Sequence, residues 1–230
     1  MKKIGLIGGL TWVSTLDYYR LLNELVNERK GGSEAAEIIL YSVNFGPIKK
    51  YTEEGNWKAI SAIICDAAQK LETAGANCIL LGANTMHKIA YEVQESISIP
   101  LINIASVTAE AISLQSLKKV ALLGTKYTMQ LDFYKNALTQ RGIDTLIPPV
   151  EKIEIINSAI YNELGKNIFL PSTKQQFMEV INDLYQQGSE GVILGCTEIP
   201  LLIKQSDSPI PVFDTTRLHA LAAVKFALES

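Results

Sequence analysis

The stretch Val192–Glu198, Val-Ile-Leu-Gly-Cys-Thr-Glu, is an apolar run that ends at a glycine and is followed at once by a cysteine. The apolar residues before Gly195 are typical of a buried strand, and Cys196 falls where the next segment begins. A thiol at a strand-to-helix turn faces backbone N–H groups and a positive dipole end, which lower its pKa. Free cysteines are, however, usually small buried core residues. This stretch alone does not separate a reactive Cys196 from a structural one.

Composition limits the classes of protein that the chain can represent. Its 230 residues are 47% hydrophobic, with a net charge of −3 and no block of lysines or arginines. We therefore expect one large or two small globular cores and a small-molecule partner, with no nucleic acid and no membrane. The N-terminal apolar run is too short for a signal peptide. Three unevenly spaced cysteines and two distant histidines predict neither disulfides nor a metal site, and the predicted compartment is the cytoplasm.

Short apolar runs alternate with segments of helical spacing, which predicts a parallel sheet covered by helices on both faces. In the first predicted helix, the apolar residues that recur at helical spacing are Leu16, Tyr19, Leu22, Leu25 and Val26. The predicted strands are residues 4–7, 38–43, 78–81 and 101–104, and the predicted helices are residues 16–28, 57–73, 86–95 and 107–114.

From Lys118 onward the same pattern repeats, residue against residue. The run 3–9 matches 119–125 with an offset of 120 − 4 = 116, and 16–20 matches 131–135 with an offset of 115. Further on, 79–85 matches 192–198 with an offset of 113, and 99–101 matches 210–212 with an offset of 111. Four landmarks in one order predict two similar halves.

We therefore predict two Rossmann-like (flavodoxin-like) parallel-sheet domains, related by a pseudo-two-fold, with an active-site cleft between them. The first domain is predicted to comprise residues 1–100 plus 212–230, and the second residues 101–211, with Pro100 and the segment 209–211 at the crossings. Ligands of open α/β sheets bind at the carboxyl ends of the strands. The offset of 113 makes Ala83 the counterpart of Cys196, so that a methyl group stands where the other half has a thiol.

The turns after the predicted strands are rich in hydroxyl and amide groups. Gly8 and Gly9 follow the first strand, but the G-x-G-x-x-G spacing of a dinucleotide site is absent, and we expect no cofactor. Short polar side chains at helix N-termini suit a small carboxylate ligand, although each one is also an ordinary helix N-cap. The residues concerned are Thr11, Ser14, Thr15, Asn84, Thr85, Thr125, Tyr127, Thr128 and Thr197.

Several titratable residues lie near these turns. Glu198 could orient or protonate the thiol of Cys196, or could simply complement a helix dipole. His87 begins a predicted helix, and a lone histidine is more often structural than catalytic. Cys65 and Cys78 lie within apolar patterns and are interpreted as core, and His219 is given no role.

Three motifs in this order resemble the aspartate/glutamate racemase family, most closely its broad-specificity amino-acid racemases. They are Gly8–Trp12 (Gly-Gly-Leu-Thr-Trp), Asn84–His87 (Asn-Thr-Met-His) and Gly195–Glu198 (Gly-Cys-Thr-Glu), and the resemblance runs over essentially the whole chain. It implies a cofactor-independent (PLP-independent) isomerase that acts on aspartate or glutamate, usually as a homodimer. In the family pattern two cysteines flank the α-carbon, one removing the proton and the other returning it from the opposite face.

This sequence keeps Cys196 but has Ala83 at the first cysteine position, so racemisation is expected to be slow or one-sided. Thr85 or a water held by Asn84 would have to replace the missing acid. The alternatives are a single-cysteine decarboxylase or isomerase, as in the similar arylmalonate decarboxylases, and a non-catalytic binder of acidic amino acids. The catalytic candidates are Cys196, the position of Ala83, and Thr85; the substrate-binding candidates are Gly9, Trp12, Ser14, Asn44, Asn84, Thr85, Thr125, Thr128, Thr197 and Glu198.

Overall fold

The structure, a computed structural model, describes residues 1–229 and divides into two compact units. The first unit contains Met1–Asn103 together with the residues from His219 onward, and the second contains Ile104–Leu218. The chain therefore passes between the units twice, after Asn103 and after Leu218. Each unit has its own parallel sheet.

The first unit is a three-stranded sheet with helices on both faces. Its strands are β1 (Ile4–Gly8), β2 (Ile38–Ser42) and β3 (Cys78–Leu81), and its helices are α1 (Trp12–Lys30), α2 (Phe45–Glu53), α3 (Trp57–Thr73) and α4 (Ala90–Glu95), with a 3-10 helix at Thr85–Ile89. The strand order is β2-β1-β3, all parallel. Residues on alternate sides of β1 pack into two different cores, Leu6 with α1 and Ile7 with α3. This is the doubly covered α/β sheet that the sequence predicts.

The second unit repeats this arrangement and adds a fourth strand. Its strands are β4 (Lys119–Gly124), β5 (Asp144–Leu146), β6 (Gly191–Gly195) and β7 (Val212–Asp214), and its helices are α5 (Ile104–Leu114), α6 (Lys126–Gln130), α7 (Asp132–Thr139), α8 (Val150–Asn162), α9 (Pro171–Gln186), α10 (Ile199–Leu202) and α11 (Thr215–Leu228), with 3-10 turns at Leu164–Lys166 and Gln205–Asp207. The order is β5-β4-β6-β7, again parallel. The end of α11, from His219 onward, belongs to the first unit.

The sequence repeat corresponds to a structural repeat, because the two units have equivalent strand arrangements. β1 and β4 are central strands, and β3 and β6 are their equivalent neighbours. The proline landmarks also match, since the carbonyl of Pro100 accepts from Ile79 N–H at 2.9 Å and that of Pro211 accepts from Val192 N–H at 2.8 Å. The prediction of two similar parallel α/β halves is confirmed.

Three element predictions are wrong. Residues 101–104 do not form a strand, because only Leu101 bridges to Ile79 and α5 already begins at Ile104. The first part of the helix predicted at 86–95 is the 3-10 helix. Helix α2 is missing from the prediction, because Gly46 and Pro47 are typical of a turn. The helix forms because Pro47 lies in its first turn, where the N–H that proline lacks would have no helical partner anyway.

The surface of α1 and the second crossing differ in detail from the predicted pattern. Leu16 and Tyr19, two of the residues whose spacing predicts α1, are 60% and 57% exposed. The second crossing falls at 218/219 rather than 211/212, because β7 pairs with β6 and so keeps residues 212–214 in the second sheet.

Candidate active site

In the second unit, two paired glycines bring the ends of the central strands together. Gly124 and Gly195 are register partners, and a Cβ at Gly124 would lie 2.6 Å from the carbonyl oxygen of Gly195. A Cβ at Gly195 would lie 2.9 Å from the carbonyl oxygen of Leu123. Only glycine allows this approach. Thr125 and Cys196 follow these glycines, so both leave the sheet at the same edge.

The thiol of Cys196 is paired with a carboxylate. Its Sγ donates to Oε2 of Glu198 at 3.0 Å, and the hydroxyl of Thr197 donates to the same oxygen at 2.8 Å. Cys196, Thr197 and Glu198 are 7%, 3% and 2% exposed, so the contacts lie in a buried environment. The carboxylate is within hydrogen-bond reach of the thiol and can orient it.

The expectation of a lowered thiol pKa is wrong. Burial raises the pKa of Cys196 well above its usual value, and the negative charge of Glu198 raises it further. Helix α10, which follows, has only four residues and supplies little dipole. In the resting state Cys196 is therefore a neutral thiol, suited to donating a proton, and becomes a nucleophile or base only when a proton acceptor takes its hydrogen.

The other two cysteines of the chain differ in their surroundings. Cys78 is completely buried on β3, and burial raises its pKa to about 12, in agreement with a core role. Cys65 is half-buried on α3 and its Sγ lies 3.7 Å from the Ser61 hydroxyl.

Thr125 and Thr128 form a local pair at the start of α6. The hydroxyl of Thr125 accepts from the backbone N–H of Thr128 at 3.2 Å and lies 3.2 Å from the Thr128 hydroxyl. Both side chains are buried, at 6% and 0% exposure. Thr125 is thus the N-cap of α6, which is the structural alternative to a ligand-binding role. Its position directly after a strand is also the one that the sequence predicts for a ligand-binding hydroxyl.

The Gly8-Gly9 turn of the first unit has a structural explanation. Gly9 has φ +75°, and a Cβ there would lie 2.1 Å from the carbonyl oxygen of Val43. Its N–H donates to the Thr15 hydroxyl at 2.7 Å, and the hydroxyl of Ser14 donates to the carbonyl of Gly82 at 2.8 Å. The second bond holds the start of α1 against the end of β3, whereas the positive φ and the close approach of Val43 explain Gly9.

The predicted residues of the first unit do not all lie in one environment. Asn84 and Thr85 follow β3 and are buried, at 3% and 7% exposure, and Ala83 is half-buried beside them. The parallel register places this turn at the same edge as the Gly9 turn. Trp12 is 57% exposed, and Asn44 is exposed and caps α2 by accepting from Gly46 N–H at 3.1 Å. Neither has the buried setting of Asn84 and Thr85.

Sequence reasoning missed a polar cluster next to this turn. His87 donates from Nδ1 to the carbonyl of Ala83 at 3.1 Å, and its ring lies edge-on to that of His219, with centroids 5.5 Å apart. His219 in turn contacts the hydroxyl of Tyr18 and the carbonyl of Ile102, each at 2.7 Å. Burial lowers the pKa of His87 to about 4 and, with the neighbouring His87, that of His219 to about 3. The sequence signals for this cluster are His87 and His219 themselves, each of which stands in a predicted helix among apolar residues.

Within residues 1–229 no three His, Cys, Asp or Glu side chains are grouped so that they could hold a metal ion. Over the same residues, no helix has both the length and the apolar character needed to cross a bilayer.

The chain thus combines two parallel α/β units, buried hydroxyl groups at the strand ends, and a thiol hydrogen-bonded to a carboxylate. The chain belongs to the Asp/Glu/Hydantoin racemase family, whose sequence model matches residues 7–223. The resemblance seen in the three motifs is thereby confirmed.

Individual relatives agree with this assignment over their full lengths. The chain is 24% identical over 225 residues to the broad-specificity amino-acid racemase RacX of Bacillus subtilis (strain 168), covering 96% of each protein. It superposes on the structure of an Asp/Glu racemase candidate from Yersinia pestis with a TM-score of 0.92 and 43% sequence identity. On an aspartate racemase homologue from Pyrococcus horikoshii OT3 the TM-score is 0.87 and the sequence identity 38%. Both superpositions cover 100% of each chain.

Proposed function

We propose that the protein is a cofactor-independent (PLP-independent) amino-acid racemase for aspartate or glutamate, with Cys196 as its acid and base. The observation that carries the proposal is the 3.0 Å contact between the Cys196 thiol and the Glu198 carboxylate, at the strand end of a chain from the Asp/Glu/Hydantoin racemase family. General acid–base catalysis requires a proton donor and acceptor within hydrogen-bond reach. This pair supplies both.

The thiol proton moves within the pair before the α-proton is removed. The thiol of Cys196 passes its proton to Glu198, leaving a thiolate beside a neutral carboxylic acid. The thiolate then takes the α-proton of the amino acid, re-forming the S–H bond, and the electron pair of the broken C–H bond is delocalised into the α-carboxyl group. After its hydrogen has exchanged with solvent, the thiol of Cys196 returns a proton to the α-carbon, and Glu198 then returns its proton to the thiolate, which restores the starting pair.

This route keeps the total charge of the pair at −1 until the thiolate takes the α-proton; both groups are then neutral, and the negative charge lies on the substrate. A thiolate and a carboxylate 3.0 Å apart would repel each other by about 5 kcal/mol at an effective dielectric constant of 20. Because the thiol is buried, losing its proton to solvent while Glu198 stays charged is the expensive alternative. Thr197 donates to the same carboxylate oxygen and so helps to hold it beside the thiol.

Inversion of the stereocentre needs an acid on the face opposite the base, and the methyl group of Ala83 has no exchangeable proton. That Ala83 is the counterpart of Cys196 rests on the sequence repeat. Thr85, or a water held by Asn84, is then the acid on that face, and a hydroxyl is a far weaker acid than a thiol. We therefore expect slow or one-sided racemisation, with α-proton exchange faster for one enantiomer than net inversion.

The substrate carboxylates are proposed to bind to Asn84, Thr85, Thr125, Thr128 and Thr197, with Gly9 and Ser14 supporting the first turn. Thr85→Val and Thr125→Val should then each weaken aspartate or glutamate binding. Losing one hydrogen bond to a charged group costs about 1.5–3 kcal/mol, or roughly ten- to a hundred-fold in affinity. A substitution that leaves the affinity unchanged in calorimetric titration would remove that residue from the proposed binding set. We further propose a homodimer in the cytoplasm.

The decisive experiment follows α-proton exchange and inversion in parallel. The protein is incubated with each enantiomer of aspartate and of glutamate in deuterated water, and NMR and circular dichroism are recorded together. Exchange of one enantiomer that outpaces racemisation supports the proposal, and Cys196→Ala should abolish both signals. Exchange that survives in Cys196→Ala would remove this thiol from the mechanism.

A one-thiol decarboxylase or isomerase of the same superfamily is the second candidate, favoured by the methyl group at Ala83. A single thiol suffices to protonate an enediolate after loss of carbon dioxide. Carbon dioxide release from a substituted malonate, without exchange of any amino acid, would support it. Binding of aspartate or glutamate with neither reaction would instead indicate a non-catalytic binder.

A further inference from the structure

Tyr18, His87 and His219 form a buried polar cluster that the proposed chemistry does not use. They come from α1, the 3-10 helix and α11, and are 0%, 3% and 0% exposed. The ring of His219 is edge-on to both others, with centroids 5.5 Å from His87 and 5.7 Å from Tyr18. Buried polar groups are costly unless hydrogen-bonded, so a cluster of three needs an explanation.

The hydrogen bonds assign a tautomer to each histidine. A carbonyl oxygen can only accept, so the 3.1 Å contact with Ala83 places the hydrogen of His87 on Nδ1. The 2.7 Å contact between Nε2 of His219 and the carbonyl of Ile102 places that hydrogen on Nε2. Nδ1 of His219 is then the acceptor for the hydroxyl of Tyr18. The two neighbouring rings are both neutral and are opposite tautomers.

His87 holds two consecutive carbonyls of the turn that follows β3. Its ring Nδ1–H donates to Ala83, and its backbone N–H donates to Asn84 at 3.0 Å. A 3-10 turn by itself supplies only the second of these bonds. The ring bond therefore fixes the peptide plane between residues 83 and 84 as well as the one between residues 84 and 85.

We propose that His87 is a positioning residue, which holds Ala83, Asn84 and Thr85 in the orientation needed for substrate, with the ring of His219 packed edge-on against it. The role in catalysis rests on the proposed function, whereas the hydrogen-bonding role does not. His87 does not touch the reacting atoms and transfers no proton. Its geometry depends on the neutral Nδ1–H form, which burial of the ring favours.

The first test compares His87→Asn with His87→Leu. The Asn amide can place a donor near the position of Nδ1, whereas Leu fills similar space without one. We expect His87→Leu to raise KM for α-proton exchange by about ten- to a hundred-fold, since small displacements of positioning groups have effects of that size. His87→Asn should recover most of the loss. Equal KM values for the two variants would overturn the proposal.

The second test reads the hydrogen bond without any activity. Long-range nitrogen–proton NMR correlations of the unmodified, ¹⁵N-labelled protein at neutral pH should show His87 protonated at Nδ1 and His219 at Nε2. An Nε2-protonated or rapidly exchanging His87 would overturn the positioning role even if the enzyme is active. If no amino acid exchanges but the tautomers are as assigned, the proposed function fails and the hydrogen-bonding role of His87 stands.

Tyr18→Phe provides a matched control within the cluster. It keeps the aromatic ring but removes the hydroxyl that donates to His219. Because His87 retains its bond to Ala83, we expect its tautomer to be unchanged and KM to stay within about twofold, a difference that corresponds to less than 1 kcal/mol. A KM increase as large as that of His87→Leu would assign the effect to the packing of the cluster rather than to the His87 bond.

Discussion

Lowering the pH from 7 to 5 should destabilise the folded protein through two particular residues. The chain contains only two histidines, and both are buried and neutral when folded. Burial lowers the pKa of His87 to about 4, and burial together with His87 lowers that of His219 to about 3. Between pH 6.5 and these values the unfolded chain binds protons that the folded chain does not. Stability is therefore fully present above pH 6.5 and falls as the pH decreases.

Each histidine contributes about 2 kcal/mol to this loss between pH 7 and pH 5, since its unfolded form titrates near 6.5 and its folded form has not yet titrated. The two together amount to about 4 kcal/mol, a large part of the 5–15 kcal/mol that is usual for a folded protein. The carboxylates with lowered pKa, Glu72, Glu190 and Asp207, lose their contributions at lower pH. The interval from pH 7 to pH 5 thus isolates the histidines.

The assay is urea unfolding at half-unit steps of pH, with His87→Gln and His219→Gln as single-site controls. Each variant should show about half of the pH-dependent change, whatever its stability at pH 7. A change smaller than about 1 kcal/mol in the unmodified protein would mean that at least one ring is protonated or solvated when folded. An unaltered pH dependence in either variant would mean that the replaced histidine does not contribute.

Three further predictions concern the strand ends. Glu198→Gln removes the negative charge that raises the pKa of Cys196, so alkylation of this thiol at pH 8, followed by mass mapping, should become faster. The rate of α-proton exchange should fall about 10²-fold, because the proton acceptor is lost. Slower alkylation would contradict the assigned contact. Ala83→Cys should raise racemisation, followed by circular dichroism, by about 10²- to 10⁴-fold, and no change would exclude this position from the reaction. Gly195→Ala should destabilise the fold by about 2 kcal/mol or more in urea unfolding, because its Cβ would lie 2.9 Å from the carbonyl of Leu123, and an unchanged midpoint would contradict the close strand approach.

Local patterns determined the architecture. Buried parallel strands are continuous apolar runs, so β1, β3 and β6 could be recognised from residues that are neighbours in the chain. Helix α3 was predicted at its observed bounds for the same reason, since its apolar side chains recur at helical spacing. The repeat needed no structure either, because it is a comparison of the sequence with itself. The residues at the strand ends follow directly, since side chains after parallel strands emerge at one edge of the sheet.

The properties that depend on distant residues could be decided only by the tertiary structure. The pKa of Cys196 has the opposite direction from the one that its position in the sequence suggested, because desolvation and the charge of Glu198 outweigh a four-residue helix. His219 lies far from Tyr18 and His87 along the chain, and no local pattern indicates that α11 returns to the first unit and places the three rings together. Desolvation and hydrogen-bond partners are set by whatever packs around a group, and packing is not encoded within one segment of the sequence.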